Sequence, residues 1–394
     1  MKKKRKVYLK LFLVLALAFG IQGASRAQLV VGEQKESNIG QSLQLLEDSN
    51  CISLDQAIAG EFTPEDDNVP LYEGSETCLW FKLPVLNNSG EDQLLLEIYN
   101  PAIDLVELYY KAPDGSWAVK RQGRTVPISQ WDFDLPNIIF EIDIEDGAEE
   151  VFYIKVKNPE QFSLPVNLGL KDEIMITSFR DQILFGLYAG IMLALFLYNI
   201  FIYFSVRDRS YIFYVAHTLF VLLTQASAFG FAYLYLWPGN TWLVQHSFVL
   251  FTCLVSLAGI RFFFEFLKVK HYLPRFYKFF RAMEVVYLLI LVVEIMDFRN
   301  LAYQMLFPLQ GIIVISIFVA SLMILIRGYQ PAKLYVMSWS LLLIGVLIFA
   351  LKDFSILPYN YLTVHTIQIG SALEAVLLSF ALADKINILK REKE

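Results

Sequence analysis

The sequence predicts a multi-domain membrane protein, an exported all-β sandwich or barrel followed by a bundle of seven transmembrane helices. Three observations carry this reading. The chain of 394 residues is 56% hydrophobic and only 18% charged, with a mean hydropathy of +0.47, whereas soluble domains carry about 25% charged residues. The N-terminus is basic, then briefly apolar, in the manner of an export signal. From Ile183 onward, apolar runs of membrane-crossing length alternate with short polar ones.

Residues 1–27 read as a signal peptide. Lys2, Lys3, Lys4, Arg5, Lys6 and Lys10 form its positive region, and the apolar stretch Leu11 to Ile21 falls short of a roughly 30 Å hydrocarbon core. Ser25-Arg26-Ala27 offers a small-x-small cleavage site that leaves Gln28 as the first mature residue. An uncleaved anchor is the alternative.

Residues 28–178 read as the exported domain, with 28–76 as its less defined N-terminal part and Ser53-Leu54-Asp55-Gln56-Ala57 as a helix start. From Gln28 to Arg180 there are 28 acidic and 10 basic residues, a balance that excludes a nucleic-acid-binding surface. Short strands are expected at Cys78–Leu83, Gln93–Ile98, Leu105–Tyr110, Ile138–Ile144, Val151–Val156 and Ser163–Leu170. Between them lie Asn87-Asn88-Ser89-Gly90, Pro113-Asp114-Gly115, Glu145-Asp146-Gly147 and Asn158-Pro159, which carry turn chemistry. Trp80, Tyr109, Tyr110, Trp117 and Trp131 are the ligand-stacking candidates, although each alone more readily fills a core or an edge. Asp132 and Asp134 form a short acidic pair open to a weak calcium site or simple solvation. Cys51 and Cys78 are free to bridge in an oxidising compartment, and Cys253 lies in an apolar run. The sequence has no metal-type Cys/His cluster, no assembled nucleophile and base, and no cofactor motif.

The spans are read at 183–204, 211–236, 242–264, 279–297, 302–326, 333–352 and 359–383, within a membrane domain of 183–383, with 384–394 as a short tail. The fourth, which includes Glu284 and Glu294, is the least apolar. Arg207, Arg209, Lys268, Lys270, Arg275, Lys278, Arg281, Arg327, Lys333 and the tail lysines fall on one side. The other connections hold only Arg299 and Lys352. The positive-inside rule then puts the β domain outside and the C-terminus in the cytoplasm of a bacterial-type inner membrane, as the export signal also requires. Trp237, Trp242, Tyr359 and Tyr361 sit where an aromatic belt is expected. His217, His246, Glu284, Glu294 and Glu374 lie at or near membrane depth. Each is a candidate for an interhelical bond, a signal relay or a transport step.

The order of parts resembles the bacterial seven-transmembrane receptors with diverse intracellular signalling modules, the 7TMR-DISM group. The matching stretches are CLWFKLPVLNNSGEDQLLLEIYNPAIDLVELYYKAPDGSW (Cys78 to Trp117), FYIKVKNPEQFSLPVNL (Phe152 to Leu168), RDRSYIFYVAHTLF (Arg207 to Phe220), FAYLYLWP and the final ALADKINILKREKE. The resemblance covers nearly everything from about residue 50. It implies a type 2 extracellular module, jelly-roll-like and similar in appearance to carbohydrate-binding domains. It implies no catalytic residues. Family members usually continue into a histidine kinase, a diguanylate cyclase or another output domain, whereas this sequence stops at Glu394. The expectation is a receptor acting through such a partner, or a chain ending short of its output domain. Ile386 and Leu389 are too few for a self-sufficient coiled coil.

The leading functional expectation is a non-enzymatic receptor for an extracytoplasmic small molecule or glycan, embedded in membrane lipids, with a homodimer compatible with the sequence. A transporter or transporter subunit is the first alternative and an envelope adaptor the second.

Overall fold

The computed structural model describes residues 29–391 except Glu33, Ser49 and Ser355, with side chains as far as Lys385 apart from those of Ser75 and Glu76. The export signal at 1–27 lies outside the described residues. The strands are β1 (Leu29–Val31), β2 (Gln44–Asp48), β3 (Thr63–Pro64), β4 (Leu71–Tyr72), β5 (Ser75–Asn87), β6 (Gln93–Ile98), β7 (Leu105–Lys111), β8 (Trp117–Gln122), β9 (Ile138–Asp143), β10 (Glu149–Asn158), β11 (Phe162–Ser163) and β12 (Val166–Leu170). The large sheet runs β3-β2-β5-β10-β7-β8, with β1 beside β5 in parallel, and the smaller one runs β12-β6-β9.

Alternation decides which face each side chain takes. Phe81, Leu83, Val85, Val106, Leu108, Phe152 and Ile154 of the large sheet meet Leu94, Leu96, Ile98, Phe140 and Leu168 of the small one in a single core. Strand β6 reads as a continuous apolar run because both of its faces are buried. Leu94, Leu96 and Ile98 point into the sandwich, while Leu95 packs with Ile174 on the other side. On the outer face of the large sheet, Trp80, Tyr153 and Ala57 form a second cluster under the short helix Leu54–Ile58. A reciprocal capping box between Ser53 and Gln56 starts that helix. Cys51 and Cys78 are joined by a disulfide, with Cα atoms 5.1 Å apart.

Seven long helices follow: α1 (Lys171–Val206), α2 (Arg209–Ala228), α3 (Thr241–Leu267), α4 (Pro274–Ile295), α5 (Arg299–Ile326), α6 (Ala332–Asp353) and α7 (Thr366–Arg391). Six of them are long and apolar enough to cross a membrane. The exception is α4, the span whose charges already made it the least apolar.

Three spans differ most from the sequence reading. Helix α1 begins at Lys171, inside the stretch assigned to the β domain, with Asp172 and Glu173 in a first turn where acidic side chains suit the helix dipole. Its 36 residues reach about 54 Å at 1.5 Å per residue, so its first turns lie on the sandwich. The second span breaks after Ala228, where Gly230 takes a left-handed backbone (φ +77°), and a short helix Phe231–Tyr235 follows. The last span begins at Thr366, after a separate turn of helix at Tyr361–Val364, and runs on to Arg391 through the segment read as a tail.

Helices α6 and α7 meet at Gly345 and Gly370. A Cβ on Gly345 would lie 2.6 Å from the Thr366 carbonyl oxygen, whereas a Cβ on Gly311 in α5 would meet nothing within 4 Å. Gly345→Ala is therefore expected to lower stability by about 1–3 kcal/mol through forced separation of the helices. Gly311→Ala is expected to be neutral or to stabilise by up to about 1 kcal/mol through helix propensity. Thermal unfolding of both variants in lipid nanodiscs checks this opposition of sign.

Candidate functional site

The β domain sits on the end of the bundle where α1, α3, α5 and α7 begin, and the two share a core. Tyr233, Trp237 and Val244 from the bundle pack with Val126 and Trp131 of the sandwich. The Tyr233 hydroxyl donates to the Val126 carbonyl at 2.6 Å, and its ring meets Trp131 edge-on at 5.4 Å. Gly230 allows the close approach. A Cβ there would lie 2.8 Å from Pro101 and 2.9 Å from the Pro136 carbonyl oxygen, both in the β domain.

Four buried charges clamp this junction. Asp104 precedes β7, Arg124 follows β8 and Glu160 follows β10, so neighbouring antiparallel strands bring all three to one end of the sheet. Arg299, the first residue of α5, completes the set. Its guanidinium forks onto Asp104 (Nη1 to Oδ2 2.7 Å, Nη2 to Oδ1 3.2 Å) and donates to Glu160 at 2.8 Å. Arg124 bridges the same carboxylates at 2.9 and 3.0 Å. Two acids and two bases balance, which makes burial tolerable. A cation at a helix N-terminus opposes the dipole, and the carboxylates offset that cost. Burial works against the Asp104 carboxylate, but Arg124 and Arg299 outweigh it and hold its pKa below the ordinary range.

A second contact lies across the junction. The Tyr99 hydroxyl donates to Asp181 of α1 at 2.7 Å and stands 3.4 Å from Nε2 of His365, just before α7. Burial and the adjacent Asp181 push the Tyr99 phenol well above its ordinary pKa, so it keeps its proton. His365 Nδ1 contacts the Gln368 side chain at 2.7 Å, and the His365 ring stacks on Phe229.

From Gln368 a polar seam descends α7 against α1 and α2. Ser371 meets the Tyr188 hydroxyl at 3.1 Å, and the Ala375 carbonyl accepts from Tyr214 at 2.7 Å. Glu374 faces His217 at 3.7 Å, a charge contact longer than a hydrogen bond. Ser379 accepts from Asn199 at 3.0 Å. Lys385 donates to Ser210 at 2.9 Å and pairs with Asp208 at 3.3 Å. From Gln368 to Ser379 these positions recur every three or four residues, so they share one broad helix face, and Lys385, six residues on, extends the seam to about 26 Å from Gln368.

Of the membrane-depth candidates, His217 and Glu374 thus face each other within the seam. His246 and Glu294 meet at 2.7 Å between α3 and α4, away from it. Glu284 lies 2.5 Å from Arg281 and 2.7 Å from Arg261, the latter at ion-pair distance without hydrogen-bond alignment. Of the five aromatic candidates, Trp80, Tyr109 and Trp117 share the outer-face cluster with Tyr153, and Tyr110 and Trp131 lie elsewhere. Trp80 is fully buried and packs on Tyr109, and Trp117 packs on Tyr153. Tyr110 turns toward the sandwich core, and Trp131 lies in the junction. Trp237 and Tyr233, from the stretch expected to reach the aromatic belt, are likewise covered by the β domain. Asp132 pairs with Lys120 at 2.9 Å. Among the described residues no group of three or more His, Cys, Asp or Glu side chains is arranged to hold a metal ion.

Sequence reasoning treated Arg299 as a loop charge and passed over Tyr99, Asp181 and His365. The available signal was an arginine and an aspartate at the edges of long apolar helices, where a charge needs a partner. Arg207-Asp208-Arg209-Ser210 and Ala383-Asp384-Lys385, quoted separately as matching stretches, turn out to touch.

The family model for 7TM diverse intracellular signalling matches residues 181–385, a little over half of the chain. The model for 7TMR-DISM extracellular 2 matches residues 40–169. No curated protein matches.

Arg299→Gln leaves two buried carboxylates sharing one guanidinium, and is expected to cost about 3–5 kcal/mol at neutral pH. The sign with pH follows from the depressed Asp104 pKa. In the wild type its contribution is present above the ordinary carboxylate pKa of about 4 and is lost as pH falls through the lower folded value. In Arg299→Gln, acid relieves the excess charge, so the gap between the two proteins narrows below about pH 4. Unfolding of both proteins measured from pH 3 to 8 checks the sign.

Proposed function

Because the chain belongs to the 7TMR-DISM family, we propose that it is a non-enzymatic signal receptor whose β domain faces away from the cytoplasm. A ligand held there shifts the seating of the sandwich on the bundle, and α7 carries that shift to a cytoplasmic partner. The partner is a histidine kinase, a diguanylate cyclase or another output protein.

One observation carries this reading. The last helix is joined to the sensory side by His365, the residue immediately before it, and to the opposite side by Lys385, with polar contacts to α1 and α2 between them. In a low-dielectric bundle such contacts favour discrete pairings over continuous sliding, because an intermediate register strands buried polar groups. A ligand need only bind one seating better than the other, and tenfold preference corresponds to about 1.4 kcal/mol.

The test is cross-linking and affinity capture from native membranes through a C-terminal tag, with wild type, Lys385→Gln and Asp208→Asn compared. The expected result is a kinase, cyclase or response regulator captured with wild type and changed at least threefold by both variants. Enrichment of transport components instead, unaffected by either variant, would contradict the receptor reading.

A further inference from the structure

Beside the Tyr99–Asp181 bond lies a cleft of about 20 Å³, lined by Tyr99, Ser178, Asp181, Phe229, His365 and Gln368 among others. That is room for one water-sized guest, which needs about 10–15 Å³. Among the described residues, three polar atoms around it have no hydrogen-bond partner: Ser178 Oγ, Asp181 Oδ1 and Gln368 Nε2. All three residues are more than nine-tenths buried. Buried polar groups left this way are costly, and an ionised carboxylate is the costliest.

The two ends of the Gln368 amide are interchangeable in shape. With its carbonyl on His365 Nδ1, that nitrogen carries the ring proton and Nε2 turns a lone pair toward the Tyr99 oxygen. The Tyr99 proton is already committed to Asp181. Reversing the amide removes the opposition of lone pairs between Nε2 and the Tyr99 oxygen. The amide donates to Nδ1, Nε2–H donates to Tyr99, Tyr99 donates to Asp181, and the Gln368 carbonyl oxygen enters the cleft.

The cleft then presents three oxygens, one of them charged, and aromatic walls. Phe229 stacks on His365 and Phe185 on Phe231 at 3.9 Å. The guanidinium beside Asp181 does not neutralise it closely. Arg180 stands 3.9 Å away, half-exposed, with its charge over the Tyr361 ring. We infer that this cleft binds an ammonium group, either the free ion or the end of a small primary amine, which ties the β domain to α1 and α7. Three oxygens fall short of the six to eight that calcium takes. Ring faces accept N–H donors and positive charge in place of further oxygens. The binding claim stands apart from the receptor reading, and only its consequence for signalling rests on that reading.

The experiment is thermal unfolding of the full chain in lipid nanodiscs at pH 7 and constant ionic strength. The chlorides of ammonium, methylammonium, tetramethylammonium and sodium are titrated in turn. Ammonium is expected to raise the midpoint saturably, while sodium and tetramethylammonium do not. Methylammonium acting as well assigns an amine terminus, and ammonium acting alone assigns the free ion. Asp181→Asn is expected to abolish the response and Ser178→Ala to weaken apparent affinity about tenfold, the loss of one charge-assisted hydrogen bond. Should Asp181→Asn fail to fold, Ser178→Ala carries the test. An equal response to sodium, no saturable response, or undiminished affinity in every folded variant would overturn the proposal. None of these outcomes touches the partner-capture result, so the two readings fail separately.

Discussion

The seating of the β domain on the bundle depends on Arg299. It is the one charge that α5 contributes to a buried set whose other three members come from adjacent strand ends. Remove it and two carboxylates share a single guanidinium out of reach of water. The apolar contacts around it, Tyr233 on Trp131 and Gly230 against two prolines, are close but undirected. The forked ion pair adds orientation, because a guanidinium satisfies two carboxylates only in a narrow range of positions.

In the proposed receptor, that rigidity is what the polar seam of α7 would respond to. On the proposed receptor reading, a sandwich free to tumble would transmit no strain, whereas one held at α5 would press on Asp181 and His365 when its seating shifts. Below, the seam consists of groups with more than one acceptable partner: serines, an amide, a glutamate facing a histidine. Such pairings allow two packings of similar energy, which is what a bistable element requires. The opposite face of α7, set against α6 at Gly345 and Gly370, has no comparable freedom, since a backbone carbonyl already fills the space.

Much of this architecture is legible in the sequence because burial and hydropathy are local patterns. Alternation locates β5, β6, β7, β9 and β10, and apolar run length locates the helices. Strands β2 and β8 escape because they carry Glu47 and Asp48, or Lys120 and Arg121, at positions that are wet or paired. The start of α1 escapes because Lys171-Asp172-Glu173 looks like a loop and is a helix N-terminus. The aromatic candidates illustrate the opposite limit. Tryptophan in a β domain signals a large contact, and the sequence does not say whether the contact is a ligand, the core or another domain. Here Trp80 fills a core and Trp131 meets the bundle. The pairings that build the junction join residues 195 positions apart in the case of Arg299 and Asp104, a relation that no single-sequence pattern encodes.

The proposed receptor requires the junction and the inner end of α7 to be energetically coupled. Amide hydrogen exchange on wild type and Arg299→Gln in lipid nanodiscs, resolved along α7, measures that coupling. Faster exchange is expected in the variant from Leu378 to Lys385, about 15–26 Å along α7 from Gln368, together with faster exchange at the junction itself. Faster exchange confined to Asp104, Glu160 and the first turns of α5, with the inner half of α7 unchanged, would contradict it.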